Sequence, residues 1–255
     1  MKRLLTLLGT IIALVALIGC ESNVTLTAPD VSYVPTNDGA ELALTITEVT
    51  DADGYIIYAD GVVLDTITAL TYNVTTPAML VEVTAYAGDQ ESDATQIDCS
   101  CQETASLHIW GSGDPSPADP SGFGFNASGV ATAYSVSDST NYPFIDFWIH
   151  SVSATEQEFA SPSQAGYNTE VNTTKNSGST DYDATTICDA PGGYTAPTTI
   201  AANAVYYFWI DPDDDGWGSS NDYFGKISVD GVNGYDCTLT IAYQPIAGLR
   251  WVVTP

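Results

Sequence analysis

The chain has 255 residues, of which 32 are Asp or Glu and only five are Lys or Arg, giving a formal charge of −27. A surface this acidic cannot neutralise phosphates, which excludes nucleic acid as a partner, and it offers no basic face to anionic lipid headgroups. With 44% hydrophobic and 11% aromatic residues the sequence is too apolar for a solvating tail, and its length suits one or two folded domains.

At the N-terminus Lys2 and Arg3 precede an uncharged apolar run from Leu4 to Ile18, which closes with Leu17-Ile18-Gly19-Cys20. A basic flank, a short apolar core and a small residue before a cut are the layout of a secretory signal. The run is also shorter than the roughly 20 residues that a membrane-spanning helix needs. The cysteine directly after Gly19 resembles the lipobox of bacterial lipoproteins. That resemblance implies loss of residues 1–19, diacylglycerol on the Cys20 thiol and acylation of the new N-terminus. Losing Lys2 and Arg3 takes the formal charge from −27 to −29 and leaves Lys175, Lys226 and Arg250 as the remaining basic residues. Membrane attachment would then come from the acyl chains alone. Glu21 is not the Asp that the resemblance associates with inner-membrane retention, so the expected location is the outer membrane or cell surface. Residues 20–30 are polar and Thr-rich and read as a tether.

From Val31 the pattern turns β-branched and alternating, as in Glu41-Leu42-Ala43-Leu44-Thr45-Ile46-Thr47, with Tyr55-Ile56-Ile57-Tyr58 closed by an Asp60-Gly61 turn. Val62-Val63-Leu64 and Leu80 to Tyr86 supply further strands, and short strands at this spacing argue for a β-sandwich over residues 31–99. The run from Leu44 to Tyr58, with Ala52, Gly54, Tyr55 and Tyr58 in register, and Val81-Glu82-Val83-Thr84-Ala85 resemble bacterial fibronectin type III-like domains. Ile46 stands where that family has Trp, and Met79 where it has Tyr. The resemblance implies an Ig-like spacer or interaction module and brings no catalytic residues.

Gln102 to Ala105 reads as a joint, and residues 103–255 as a second, larger sandwich of jelly-roll type. Its expected strands are Leu107–Trp110, Gly129–Val136, Phe144–Ile149, Ala204–Ile210, Gly225–Val229, Cys237–Tyr243 and Leu249–Val253, separated by Gly- and Pro-rich turns. No capped helical period follows the signal, so the whole mature chain is expected to be all-β.

Four cysteines remain besides Cys20, and in an exported chain an even number favours disulfides. Cys188 with Cys237 is the preferred pair, closing a loop of about 50 residues for ~4 kcal/mol. Cys99 and Cys101 could bridge only under strain. The strongest chemical signal is Asp211-Pro212-Asp213-Asp214-Asp215-Gly216-Trp217 with Asp222 beyond it. Asp211, Asp213, Asp215 and Asp222 at loop positions 1, 3, 5 and 12, with the Trp217 carbonyl at 7, have the oxygen spacing of a calcium loop. The flanking Ala204–Ile210 reads as a strand, unlike an EF-hand, so a solvated acidic hairpin loop is the competing reading. Trp217 in that polar loop either stacks on a sugar or partner, or folds back over the sandwich end. His108 and His150 read as separate structural histidines. Nucleophile elbows, Cys/His signatures and phosphate loops are lacking. The sequence therefore reads as a lipid-anchored envelope protein carrying a non-catalytic binding or adhesion module, with glycan and calcium as candidate ligands. The alternatives are a structural scaffold subunit of an envelope complex and, less favoured, a hydrolase.

Overall fold

The computed structural model describes residues 25–116, 118–218 and 221–255. The expected signal sequence and the expected lipidation site, Cys20, lie outside them. Among the described residues no helix is long and apolar enough to cross a membrane.

The described chain is an all-β structure of antiparallel sheets packed as sandwiches. In the first sandwich β1 (Val31–Thr36), β2 (Glu41–Ile46) and β5 (Thr71–Val74) form one sheet. Against it lie β3 (Gly54–Ala59), β4 (Val62–Ile67), β6 (Leu80–Ala87), β7 (Gln90–Glu91) and β8 (Thr95–Asp98), with β3 and β6 central. Alternation decides which side chains meet: Leu42, Leu44 and Ile46 point inward from β2 and face Tyr55, Ile57, Val81, Val83 and Ala85. Asp60 and Gly61 have φ of 49° and 75°, as the two-residue β3–β4 hairpin demands, and the Asp60 carboxylate accepts the Met79 and Leu80 N–H groups.

The second sandwich pairs two five-stranded sheets. One contains β10 (Gly122–Phe125), β11 (Ala131–Tyr134), β12 (Phe147–Ser153), β13 (Glu156–Ala160) and β15 (Thr198–Thr199), in the order β11-β10-β12-β13-β15. The other contains β9 (Gln102–Trp110), β14 (Thr173–Asn176), β16 (Val205–Ile210), β17 (Tyr223–Asn233) and β18 (Asp236–Tyr243), in the order β14-β16-β17-β18-β9. Phe123, Phe147, Phe159, Tyr206, Phe208, Ile227 and Leu239 fill the space between them. Of residues 102–105, expected as a joint, Gln102, Glu103 and Thr104 already pair with β18, opposite Tyr243, Ala242 and Ile241, and Ala105 falls at the bulge that follows. Phe144 falls in a 3-10 turn, Ser139–Phe144, whose N-cap Asp138 accepts the Thr140 N–H. The only α-helix among the described residues is α1 (Pro162–Ala165), a single turn closed by a left-handed Gly166.

The C-terminal segment does something that local patterning does not reveal. Leu249 and Trp251, both fully buried, belong to the core of the first sandwich, although the segment follows the last strand of the second. The Trp251 indole N–H donates to the Ala40 carbonyl at 2.9 Å, the Arg250 N–H to the Gly39 carbonyl at 2.9 Å, and the Arg250 Nε to the Asp38 carbonyl at 2.6 Å. The β1–β2 hairpin tip, with Asn37, Asp38 and Gly39 all at positive φ, is thereby clamped to the far half of the chain. Gly39 is required there, since a Cβ would collide with the Gly248 carbonyl oxygen.

Candidate functional site

The acidic loop connects β16 to β17. The sequence Val205-Tyr206-Tyr207-Phe208-Trp209-Ile210 reads as an apolar run because both of its faces are covered. Tyr206 and Phe208 enter the core between the sheets, while Tyr207 and Trp209 pack with Phe224, Cys101 and Cys188 on the opposite face. This strand carries the chain to Asp211, which is buried and whose own N–H donates to the Asn172 side-chain oxygen at 3.2 Å. One Asp211 carboxylate oxygen accepts the Asp215 N–H at 3.3 Å and the other the Gly216 N–H at 3.1 Å. Asp214 and Gly216, with φ of 53° and 93°, turn the backbone so that Asp213 and Asp215 come back toward Asp211. Carboxylate oxygens of Asp211, Asp213 and Asp215 lie within 4.8 Å of one another. Three like charges so close repel, and an oxygen-only donor set of this kind suits a hard cation such as calcium.

Of the residues expected around this centre, the Asp222 carboxylate and the Trp217 ring find other partners. Asp222 is fully buried, and its carboxylate accepts the Gly218 N–H at 2.9 Å, closing the far end of the loop instead of joining the three. Trp217 is not an open stacking platform. Its ring lies 5.1 Å from Trp209, 5.0 Å from Phe224 and 5.3 Å from Tyr194, with the Arg250 guanidinium 6.0 Å above it. The indole folds back over the sheet because that face offers aromatic surface that water would otherwise cover.

The expected Cys188–Cys237 disulfide is absent: Cys99, Cys101, Cys188 and Cys237 are all free and buried. Cys237 alternates with Leu239 and Ile241 into the core between the two sheets, whereas Cys188 packs on the outer face of the same sheet with Tyr207 and Ala242. A bond between them would have to pass through the sheet. Burial pushes the thiols of Cys99, Cys101 and Cys237 up to about 12 and that of Cys188 higher still, so none is a thiolate at neutral pH. The two histidines are separate, each beside one acid: His108 with Asp236 and His150 with Glu158, both at 3.1 Å.

All three basic residues of the described chain hold structure. Lys226 is fully buried beneath the segment 182–185, donates to the Tyr182 and Thr185 carbonyls at 2.7 and 2.9 Å, and lies 4.1 Å from the Tyr182 ring centre. Arg250 also donates from Nη1 to the Cys188 carbonyl, and Lys175 pairs with Asp189 at 2.8 Å. With these engaged, the described residues present no free cationic patch.

Sequence reasoning missed the outer face of β12 and β13, where Trp148 and His150 stand opposite Ala160 and Glu158. The signal was present in the alternation of Phe147-Trp148-Ile149-His150, which sends Phe and Ile inward and Trp and His outward. It missed Asn172 too, a buried residue whose amide donates to the Asp146 carbonyl at 2.8 Å and the Glu170 carboxylate at 3.1 Å while its oxygen holds Asp211.

No protein-family model matches the chain, and no curated protein matches it. Among solved structures it is similar to a DUF4466 family protein from Parabacteroides merdae, 13% identical, with a TM-score of 0.37 over 86% of this chain and 99% of that one.

Proposed function

We propose that the chain is an envelope lipoprotein, anchored through Cys20, whose two sandwiches hold a non-catalytic binding module away from the membrane and whose seam is ordered by calcium. The observation that carries this reading is the seam itself. Leu249 and Trp251 complete the first core, and the clamp on the β1–β2 hairpin fixes the second sandwich against it. Such a joint suits a stiff display of the distal sandwich better than a flexible pair of beads. The split of the first sandwich into β1-β2-β5 and β4-β3-β6-β7 supports the fibronectin type III-like reading of a spacer.

Calcium acts at the edge of this joint. Asp211, Asp213 and Asp215 supply the side-chain oxygens, and water completes the six to eight that the ion prefers. The loop reaches the seam through Trp217, which packs beneath Arg250, and through the Gly248 N–H, which donates to the Asp222 carbonyl at 2.7 Å. Ordering the loop therefore firms the clamp.

The test joins anchoring to binding. Fatty-acid labelling in a bacterial host should vanish in Cys20→Ala, and a glycan array probed with the mature chain should give signal that chelator weakens. Labelling that survives the substitution removes the anchor, and an array that stays dark with calcium present removes the glycan-binding module.

A further inference from the structure

We propose that the groove on the outer face of β12 and β13 binds a neutral sugar ring. The inference rests on the reading of the distal sandwich as a binding module and names its site and ligand class. The groove has a volume of about 250 Å³ and lies between the two strands on one side and α1 with Pro197 on the other. Its apolar surface comes from Trp148, Ala160, Ala165 and Pro197, and its polar groups are His150, Glu158 and Gln164.

The polar groups are held in place and each keeps one bonding site in reserve. Glu158 Oε2 accepts from His150 Nδ1 at 3.1 Å, which puts the imidazole proton on Nδ1. Glu158 Oε1 and His150 Nε2 are then both acceptors. Gln164 Oε1 accepts the Ser161 N–H at 3.1 Å and its Nε2 donates to the Ala196 carbonyl at 2.8 Å, leaving the second N–H as a donor. The Trp148 indole N–H is turned away to the Ser161 carbonyl at 3.0 Å and the residue is only 8% exposed, so a narrow carbon strip of the ring reaches the groove. Tyr167 stands edge-on to the indole at 5.5 Å and fixes its tilt.

Two acceptors and one donor beside a narrow apolar strip match the edge of a ring of hydroxyls, each of which gives and takes a hydrogen bond. Anionic ligands fail on charge, because Glu158 faces them and neither Lys nor Arg lines the groove. The fixed side chains lower the ordering cost of binding, which matters for a shallow site.

The experiment uses the mature chain with Cys20→Ser, titrated with methyl glycosides of glucose, galactose, mannose and N-acetylglucosamine. Saturation-transfer NMR reports binding, and glucosamine and glucuronate serve as charged arms. At least one neutral glycoside should bind with a Kd on the order of millimolar. Glu158→Ala and His150→Ala should each weaken it about tenfold, the loss of one good hydrogen bond to a charged or buried group. Their melting curves should match the parent, so that weakening is not unfolding. Binding of glucosamine alone, absence of neutral binding, or affinity unchanged in both variants would overturn the site. A glycan array that stays positive in those cases leaves the binding module standing with its site elsewhere.

Discussion

Replacing Trp251 by Ala should unfold the first sandwich from a residue that follows the last strand of the second. Trp251 is fully buried among Leu42, Leu44, Tyr55 and Val81, so truncation removes the largest side chain of that core. Large aromatic truncations cost about 3–5 kcal/mol through lost transfer energy and the cavity left behind. The Ala40 carbonyl also loses its indole donor, adding ~1 kcal/mol. Against a domain stability of about 5–15 kcal/mol, a combined loss of ~4–6 kcal/mol leaves the sandwich marginal or unfolded. Urea denaturation gives the total, and amide hydrogen exchange locates it. Protection should collapse in β2, β3 and β6, while the exposed control Val34→Ala leaves it at the parental level. If exchange in the first sandwich is unchanged in Trp251→Ala, or the total loss is below about 1 kcal/mol, the shared core is wrong.

Further outcomes follow from the same geometry. The mature chain should melt higher in millimolar calcium than in chelator, by ~2.7 kcal/mol at about 100 times the Kd, and an Asp213→Ala Asp215→Ala variant should lose that gain; equal midpoints in both buffers refute calcium at the loop. Burial, with the Glu170 carboxyl beside it, pushes the Asp146 carboxyl well above the usual carboxylate range, so the folded chain keeps a proton that the unfolded chain releases. Its contribution is complete below about pH 4 and falls by ~1.4 kcal/mol per unit as pH rises toward the raised value. Asp146→Asn, which still accepts the Phe125 N–H, should remove that slope in urea titrations at pH 5, 6 and 7, and an unaltered slope counts against it. Non-reducing peptide mapping should find Cys188 and Cys237 unlinked, with thiols that alkylate only after denaturation.

What the sequence made legible was whatever depends on near neighbours. Alternation located β2 and β6, continuous apolar and aromatic runs located β3 and β16, and Asp60-Gly61 announced a hairpin through its left-handed backbone requirement. The spacing of Asp211, Asp213 and Asp215 foretold three converging carboxylates, because a tight turn brings positions 1, 3 and 5 together whatever flanks it. The fate of Asp222 and Trp217 depended on partners that spacing does not encode. Asp222 found a backbone amide in its own loop, and Trp217 found an aromatic surface built from β16, β17 and the segment before β15. Cysteine number misled for the same reason, since parity ignores which face of a sheet each thiol occupies. The groove at Trp148 needed the β12–β13 register and the placement of α1, and both are tertiary.

Lys175, Lys226 and Arg250 are engaged around one sheet of the second sandwich, tying down its covering segment and the C-terminal tail. The outward field of the molecule is consequently of one sign. Two copies brought side by side, on a membrane or in solution, meet carboxylates with carboxylates, and their repulsion reaches across a Debye length of about 10 Å at 0.1 M salt. Such molecules keep their distance at low ionic strength and crowd closer as salt rises, so the packing density of the protein is set by the medium around it.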